Sequence, residues 1–253
     1  MTKKKTNILI TGASSGIGEA LAKHYAAIGA ETLFLAGRNS QRLEEVKNFC
    51  EKYGAKVYTE VLDITNRQAT DNWIKKCEKT APLNIVYANA GVATLEETPE
   101  NIYNTFNTNI LGVLNTLVPT VEIFKNRPDN NKTLVITSSI AGYHGLPSCP
   151  SYSATKACVK AYGEALRSDL RHFGIQVNVI CPGFVKSRIT DKNTCPMPFF
   201  MSAEKAAKII VDRVEKNIGL IAFPWPMRLA AWFISILPNK ISDFIYARLP
   251  HKV

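Results

Sequence analysis

Tyr152 and Lys156 stand four residues apart in Ser151-Tyr152-Ser153-Ala154-Thr155-Lys156, at the start of a run, SYSATKACVKAYGEAL, that reads as a helix. At that spacing the two side chains rise from one face, about one turn apart. A phenol beside an ammonium is a proton donor whose acidity can be tuned. A free tyrosine has a pKa of about 10. An ammonium at roughly 4 Å, with an effective dielectric near 20, attracts the phenolate by on the order of 4 kcal/mol, equivalent to about three pKa units. Such a pair suits a reaction that leaves negative charge on a carbonyl oxygen, where one group delivers a proton and another fixes the oxygen by a hydrogen bond. The same spacing suits a solvated helix surface, and two letters do not decide between the readings.

A second stretch carries a different chemistry. Thr11-Gly12-Ala13-Ser14-Ser15-Gly16-Ile17-Gly18 falls between an apolar strand-like run and a helical one. Glycines there let the backbone turn tightly and approach a phosphate, while the helix N-terminus offers unpaired N–H groups to the anion. The competing reading is a plain strand-to-helix loop.

The elements that must position these groups alternate along the chain. Residues 7–11, 32–36, 56–62, 84–88, 133–137 and 176–180 read as strands, and 16–28, 41–53, 67–79, 100–124 and 152–173 as helices. The strands are apolar and β-branched with little alternation, as expected where helices cover both faces of a parallel sheet. This predicts an α/β fold in three layers, a single domain over 1–253 with no internal linker.

The phosphate cradle has the spacing GxxxGxG, and with it come Tyr87-Ala88-Asn89-Ala90-Gly91, Asn109 in NTNILG, Ser-Ser-Ile-Ala-Gly at 138–142, YSATK at 152–156 and Pro182-Gly183. Six motifs in this order, over roughly residues 6–190, resemble the short-chain dehydrogenase/reductase family. The resemblance implies a doubly wound Rossmann-type sheet and a nicotinamide cofactor held by Gly12, Ser14, Ser15, Gly16, Ile17 and Gly18. It makes Tyr152 the acid/base, Lys156 the charge that tunes it and holds the nicotinamide ribose, and Ser139 the donor to the substrate oxygen. Ser138, its neighbour, is the lesser choice. Asn109, polar in the apolar run NILGVLNTLV, would hold a water-borne proton relay from Lys156; a buried or helix-kinking Asn is the structural alternative. Asp63 would contact the adenine, or else cap a helix. Asn89 would steady the sheet beside the cofactor. The backbone of Pro182, Gly183 and Val185 would meet the nicotinamide, with Ser187 keeping a hydroxyl often supplied by Thr. His144 and Cys149, between Ser139 and Tyr152, receive no role.

NAD-selective folds of this type place an acid about 20 residues past the first glycine, whereas an Arg accommodates the 2′-phosphate of NADP. Residues 32–43 contain no acid, and the second strand runs into Ala36-Gly37-Arg38-Asn39-Ser40. Arg38 is therefore the expected phosphate ligand, since a guanidinium donates two parallel charge-assisted bonds; a solvated loop cation is the alternative. NADP(H) is expected over NAD(H).

The 253 residues carry a net charge of +10, spread along the chain instead of gathered in blocks, which argues for an anionic small ligand and against nucleic acid. Six cysteines show neither a CxxC pair nor a neighbouring His cluster, so a reducing cytoplasm is expected and no metal site. The basic N-terminus lacks the apolar core of a signal peptide. Residues 188–201 (RITDKNTCPMPFFM) read as a substrate flap and 202–217 as a helix capped by Ser202. The apolar segment 219–253 has a longest apolar helical stretch of only about 14 Å, short of the roughly 30 Å of a bilayer core. It either packs over the pocket or a subunit partner, or lies on a membrane. Together these readings expect a reversible carbonyl reductase acting on an apolar or lipid-like substrate, as a homodimer or homotetramer. The alternatives are a non-catalytic NADP-binding regulator, or an epimerase or dehydratase on the same scaffold.

Overall fold

In β1 (Asn7–Thr11), Ile8 and Ile10 enter one core and Leu9 the other, all fully buried. β2 (Thr32–Gly37) repeats the arrangement, with Leu33 and Leu35 on one side and Phe34 and Ala36 on the other. A strand covered on both faces has no position left for a solvated side chain, so its apolar run is continuous. The computed structural model describes residues 6–94, 96–188, 190–192 and 196–248. With β3 (Lys56–Val61), β4 (Ile85–Ala88), β5 (Lys132–Thr137), β6 (Ile175–Pro182) and β7 (Leu220–Phe223), they form one parallel sheet in the order β3-β2-β1-β4-β5-β6-β7.

α1 (Gly16–Ala27), α2 (Ser40–Glu51) and α7 (Ala203–Glu215) supply the first core, while α3 (Arg67–Thr80), α5 (Gly112–Lys125) and α6 (Pro150–Asp169) supply the second. This is the three-layer Rossmann-type fold expected from the alternation. The chain runs outward through β2 and β3 and then returns to lay β4 against the other side of β1. Connections from β1 and β4 therefore leave in opposite directions, and a crevice opens beyond their carboxyl ends.

Three elements depart from the sequence reading. The helix expected over 100–124 is α4 (Pro99–Phe106) and α5 joined by a π-helical turn, Asn107–Leu111. The helix expected over 152–173 is α6 followed by a separate 3-10 turn, Arg171–Phe173, closed by Gly174 at φ +66°. Finally, the apolar segment begins with an unforeseen strand: β7, LIAF, pairs in parallel with β6 and completes the sheet. Two further helices follow, α8 (Trp225–Ser235) and α9 (Asn239–Tyr246). Of the expected flap, residues 189 and 193–195 lie outside the described residues; a 3-10 turn covers Thr190–Lys192. Ser202 caps α7 by accepting from Lys205 N at 3.2 Å.

Candidate active site

The loop after β1 is built around its glycines. Gly12 has φ +69°, and a Cβ on it would stand 2.8 Å from Ala90 Cα; Gly16 has φ +57°, and its Cβ would meet Ser187 Cβ at 2.9 Å. A Cβ on Gly18 would collide with the Gly12 carbonyl oxygen and approach Asn89 Nδ2 to 2.7 Å. The first two glycines make the turn and the third lets α1 sit directly on it. Ser15, the N-cap of α1, makes no side-chain cap bond, which leaves the first-turn N–H groups facing the crevice for an anion.

Asn89 fixes this loop to the sheet. Its Nδ2 donates to Thr11 O at 3.0 Å, its Oδ1 accepts from Thr137 Oγ1 at 3.2 Å, and its N–H donates to Thr11 Oγ1 at 3.0 Å. One side chain thus ties β1 to β5 across the end of β4. Thr11, fully buried, also donates its hydroxyl to Tyr87 O at 3.1 Å. The sequence reading missed the roles of Thr11 and Thr137, because a threonine inside a β-branched strand carries no distinguishing signal.

At the far end of the crevice lie Ser14, Gly37, Arg38, Arg42 and Asp63. A Cβ on Gly37 would touch Ser14 Oγ at 2.9 Å, so the glycine is what admits the serine. Asp63 does not cap α3. Asn66 does, accepting from Ala69 N at 3.0 Å, while Asp63 Oδ1 accepts from the Thr65 N–H at 2.9 Å and hydroxyl at 2.8 Å. Burial works to raise the Asp63 pKa, but the two Thr65 bonds and the Arg38 charge together hold it below the usual carboxylate value. Arg38 is exposed at the rim. Arg42, one turn into α2, lines the same space with its Nε buried and unpartnered. An orphaned guanidinium N–H is costly unless an anion completes it. The sequence reading missed Arg42, although its place four residues after Arg38 was a readable signal.

The reactive groups gather at the other end. The first turn of α6 begins at Pro150 and is held by Glu97, whose Oε1 accepts from Ser151 N at 3.1 Å and Oγ at 2.8 Å. Ser138 donates its hydroxyl to Lys156 O at 2.7 Å, locking β5 to α6, and is spent there. Ser139 instead lines the crevice together with Tyr152, accepting from Ala141 N at 3.1 Å and donating its hydroxyl to Pro182 O at 3.4 Å. Lys156, almost fully buried, donates Nζ to Thr137 O at 3.0 Å and lies 5.7 Å from the Tyr152 ring centroid. Burial drives its pKa down from 10.5 to about 8, opposed by Cys181.

Tyr152 reverses one expectation. Its pKa is not lowered by Lys156 but raised to about 12, because burial outweighs the lowering by the nearby Ser139 hydroxyl. The lysine is buried too and spends a proton on Thr137, so desolvation dominates both groups.

Asn109 is fully buried. Its Oδ1 accepts from Val92 N at 2.8 Å, and its Nδ2 donates to Val92 O at 2.9 Å and Thr155 Oγ1 at 3.1 Å. The amide clamps the loop after β4 from the π turn. A Cβ on Gly91 would lie 3.1 Å from Asn109 Oδ1 and 3.3 Å from Lys156 Nζ, which brings the two residues together beside the crevice. Pro182, Gly183, Val185 and Ser187 line the opposite wall. Thr190 ties Ser187 back, accepting from its N–H at 2.8 Å and donating to Val185 O at 3.0 Å. The flap's end is stapled to this wall by Lys186 N to Met201 O at 2.9 Å and Met201 N to Phe184 O at 3.1 Å.

The cavity holds about 420 Å³ and joins every expected site residue except Asn109 and Gly18, which stand behind its wall. Its glycine cradle, helix N-terminus and orphaned Arg42 fit a phosphate-bearing dinucleotide. This is a dinucleotide-binding α/β domain with a Ser-Tyr-Lys site at one end of the crevice.

Residues 6–196 match the short chain dehydrogenase family. An uncharacterized oxidoreductase of Myxococcus xanthus is 35% identical over 246 residues, 95% of this chain and 96% of that protein. The chain belongs to the short-chain dehydrogenase/reductase family of oxidoreductases. Among solved structures, a short-chain dehydrogenase from Sphingobium yanoikuyae in complex with NADPH superposes with a TM-score of 0.80 at 22% identity, covering 97% of this chain and 96% of that one. A short chain dehydrogenase from Mycobacterium paratuberculosis bound to NAD gives 0.74 at 22%, covering 86% and 95%.

Proposed function

We propose that the protein is an NADP(H)-dependent oxidoreductase that reduces a ketone or aldehyde, apolar in character, to an alcohol and runs reversibly. The observation that carries this reading is the convergence of Ser139, Tyr152 and Lys156 on one end of the crevice, Lys156 Nζ lying 5.7 Å from the Tyr152 ring centroid. A bound reduced nicotinamide supplies the hydride to the carbonyl carbon. Ser139 and Tyr152 then hold the carbonyl oxygen between two hydroxyls, and Tyr152 Oη gives its proton to that oxygen as the charge develops. With its pKa near 12, Tyr152 is fully protonated at neutral pH and ready as an acid. Lys156 supports the tyrosinate left behind, and in the reverse direction favours the base. Asn109 acts as the support of the Val92 loop and, beside Lys156, as the anchor of its path to solvent.

Preference for NADP rests on the absence of an acid at the end of β2 and on Arg38, Arg42 and Ser14 around one space. Phe199 and Phe200, exposed on the described part of the flap over 188–201, support an apolar substrate. The apolar outer faces of α5 and α6 support a homodimer or homotetramer, and cysteines without a paired spacing support the cytoplasm as compartment. The test is a panel of carbonyl compounds followed by NADPH absorbance with wild type and Tyr152→Phe. The variant is expected to lose roughly 10²- to 10⁴-fold in kcat while binding NADPH as before; an unchanged rate would refute the assignment.

A further inference from the structure

α8 is turned inside out. Its apolar residues Trp225, Leu229, Trp232, Phe233 and Ile236 recur at the spacing of one helical face, yet each is more than half exposed, Trp225 at 73%, and α8 buries none of its residues. A helix of a soluble domain ordinarily turns that stripe toward the core. α9 continues the exposure with Ile241 and Phe244, the latter 60% exposed, while its inward residue is Ser242. This is a contiguous run of aromatic and aliphatic side chains of the kind that marks an interaction surface.

Its charge identifies the partner. Arg228, Lys240 and Arg248 are exposed along these two helices and Asp243 is their lone acid, on a chain of net charge +10. Two copies facing each other through this surface would oppose like charges. An anionic bilayer complements them, and tryptophan and phenylalanine flanked by cations is the composition of a helix lying in the lipid interface. Among the described residues no helix is long and apolar enough to cross a membrane.

The location gives the contact a use. Met227 Sδ and Pro224 Cδ lie 2.9 and 3.1 Å from where a Cβ on Gly183 would stand, on the crevice wall, and α8 packs against the Ile140–Gly142 turn just beyond Ser139. Asp243 of α9 and Ala247, the residue after it, border the loop from Gly142 to Pro147 and the first turn of α6. The exposed apolar helices therefore flank the Ser139–Tyr152 end of the crevice.

We infer that α8 and α9 dock this protein on an anionic lipid surface, with the substrate end of the crevice at the bilayer, so that an apolar substrate enters from lipid. The docking stands on the helices alone; the route of entry rests on the proposed reductase reading.

The test is flotation of the full chain with phosphatidylcholine vesicles, with and without phosphatidylserine, for wild type, Trp232→Ala/Phe233→Ala and Lys240→Glu/Arg248→Glu. Wild type is expected to float with the anionic vesicles, to be released by high salt and to shift its tryptophan emission to the blue. The aromatic variant should lose at least tenfold in partitioning, and each reversed cation roughly fivefold or more. Circular dichroism and NADPH binding, unchanged in both variants, confirm that they are folded. Equal recovery of all three proteins, or no flotation by a wild type that binds NADPH, would overturn the docking and leave the reductase reading intact. So would a wild-type dimer that the aromatic variant converts to monomer without any vesicle recovery, since the face would then belong to a second copy.

Discussion

Under the proposed NADP reading, Arg38 and Arg42 would share one task, the first exposed and the second half-buried with its Nε enclosed. Arg38 is exposed at the rim, whereas Arg42 Nε is held in the protein without an acceptor. A 2′-phosphate would satisfy both, each charge-assisted bond contributing about 1.5–3 kcal/mol. Arg42→Ala and Arg38→Ala are each expected to weaken NADPH binding by roughly 10- to 100-fold by that measure, with NADH affinity little changed. Titration of intrinsic fluorescence with both cofactors checks it, and an Arg42→Ala protein with unaltered discrimination removes that residue from the site. The Tyr152–Lys156 pair predicts a pH dependence. Tyr152, near 12, stays protonated as the acid through the working range, so its own titration does not limit reduction. Lys156, near 8, is charged below that pH and neutral above it. The rate of carbonyl reduction should therefore decline as pH rises through about 8. In Lys156→Arg the charge cannot titrate, so this limb should vanish even if the overall rate is lower; a profile flat past pH 8 in wild type would argue that Lys156 charge plays no part.

At the scale of elements, what the sequence could tell depended on whether local pattern or distant contact decides a structure. β1 and β2 were legible because burial on both faces demands an unbroken apolar run, and the glycine turn because its backbone tolerates nothing else. The π turn at Asn107–Leu111 was not, since it depends on Asn109 reaching the backbone of Val92, 17 positions earlier in the chain. β7 was missed for a related reason. Four residues, LIAF, are too few to separate from the apolar helices after them, and only the open edge of β6 makes them a strand. That Ser139, Tyr152 and Lys156 would line one crevice was readable through spacing and family pattern. The tyrosine's acidity was not, because desolvation belongs to the packed protein and to no pair of letters.

At the scale of the whole molecule, two of the apolar outer surfaces among the described residues differ in charge. Along α8 and α9 the charge is almost wholly positive, which suits a partner of the opposite sign. The groove between α5 and α6, formed by Val118, Val121, Tyr162, Leu166 and Phe173, is bordered by Glu122 and Asp169 as well as Lys125 and His172. A surface holding both signs can pair with itself about a twofold axis, setting Lys125 of one copy against an acid of the other, as an isologous interface requires. Oligomerisation is therefore expected through α5 and α6, and lipid contact through α8 and α9, without competition. Val118→Asp with Tyr162→Asp, both on exposed positions, should place like charges on each side of the interface and shift sedimentation velocity to the monomer, leaving vesicle flotation unchanged. Trp232→Ala with Phe233→Ala should do the reverse. If the aspartate pair instead left the assembly intact, copies of the chain would have to meet through some other surface.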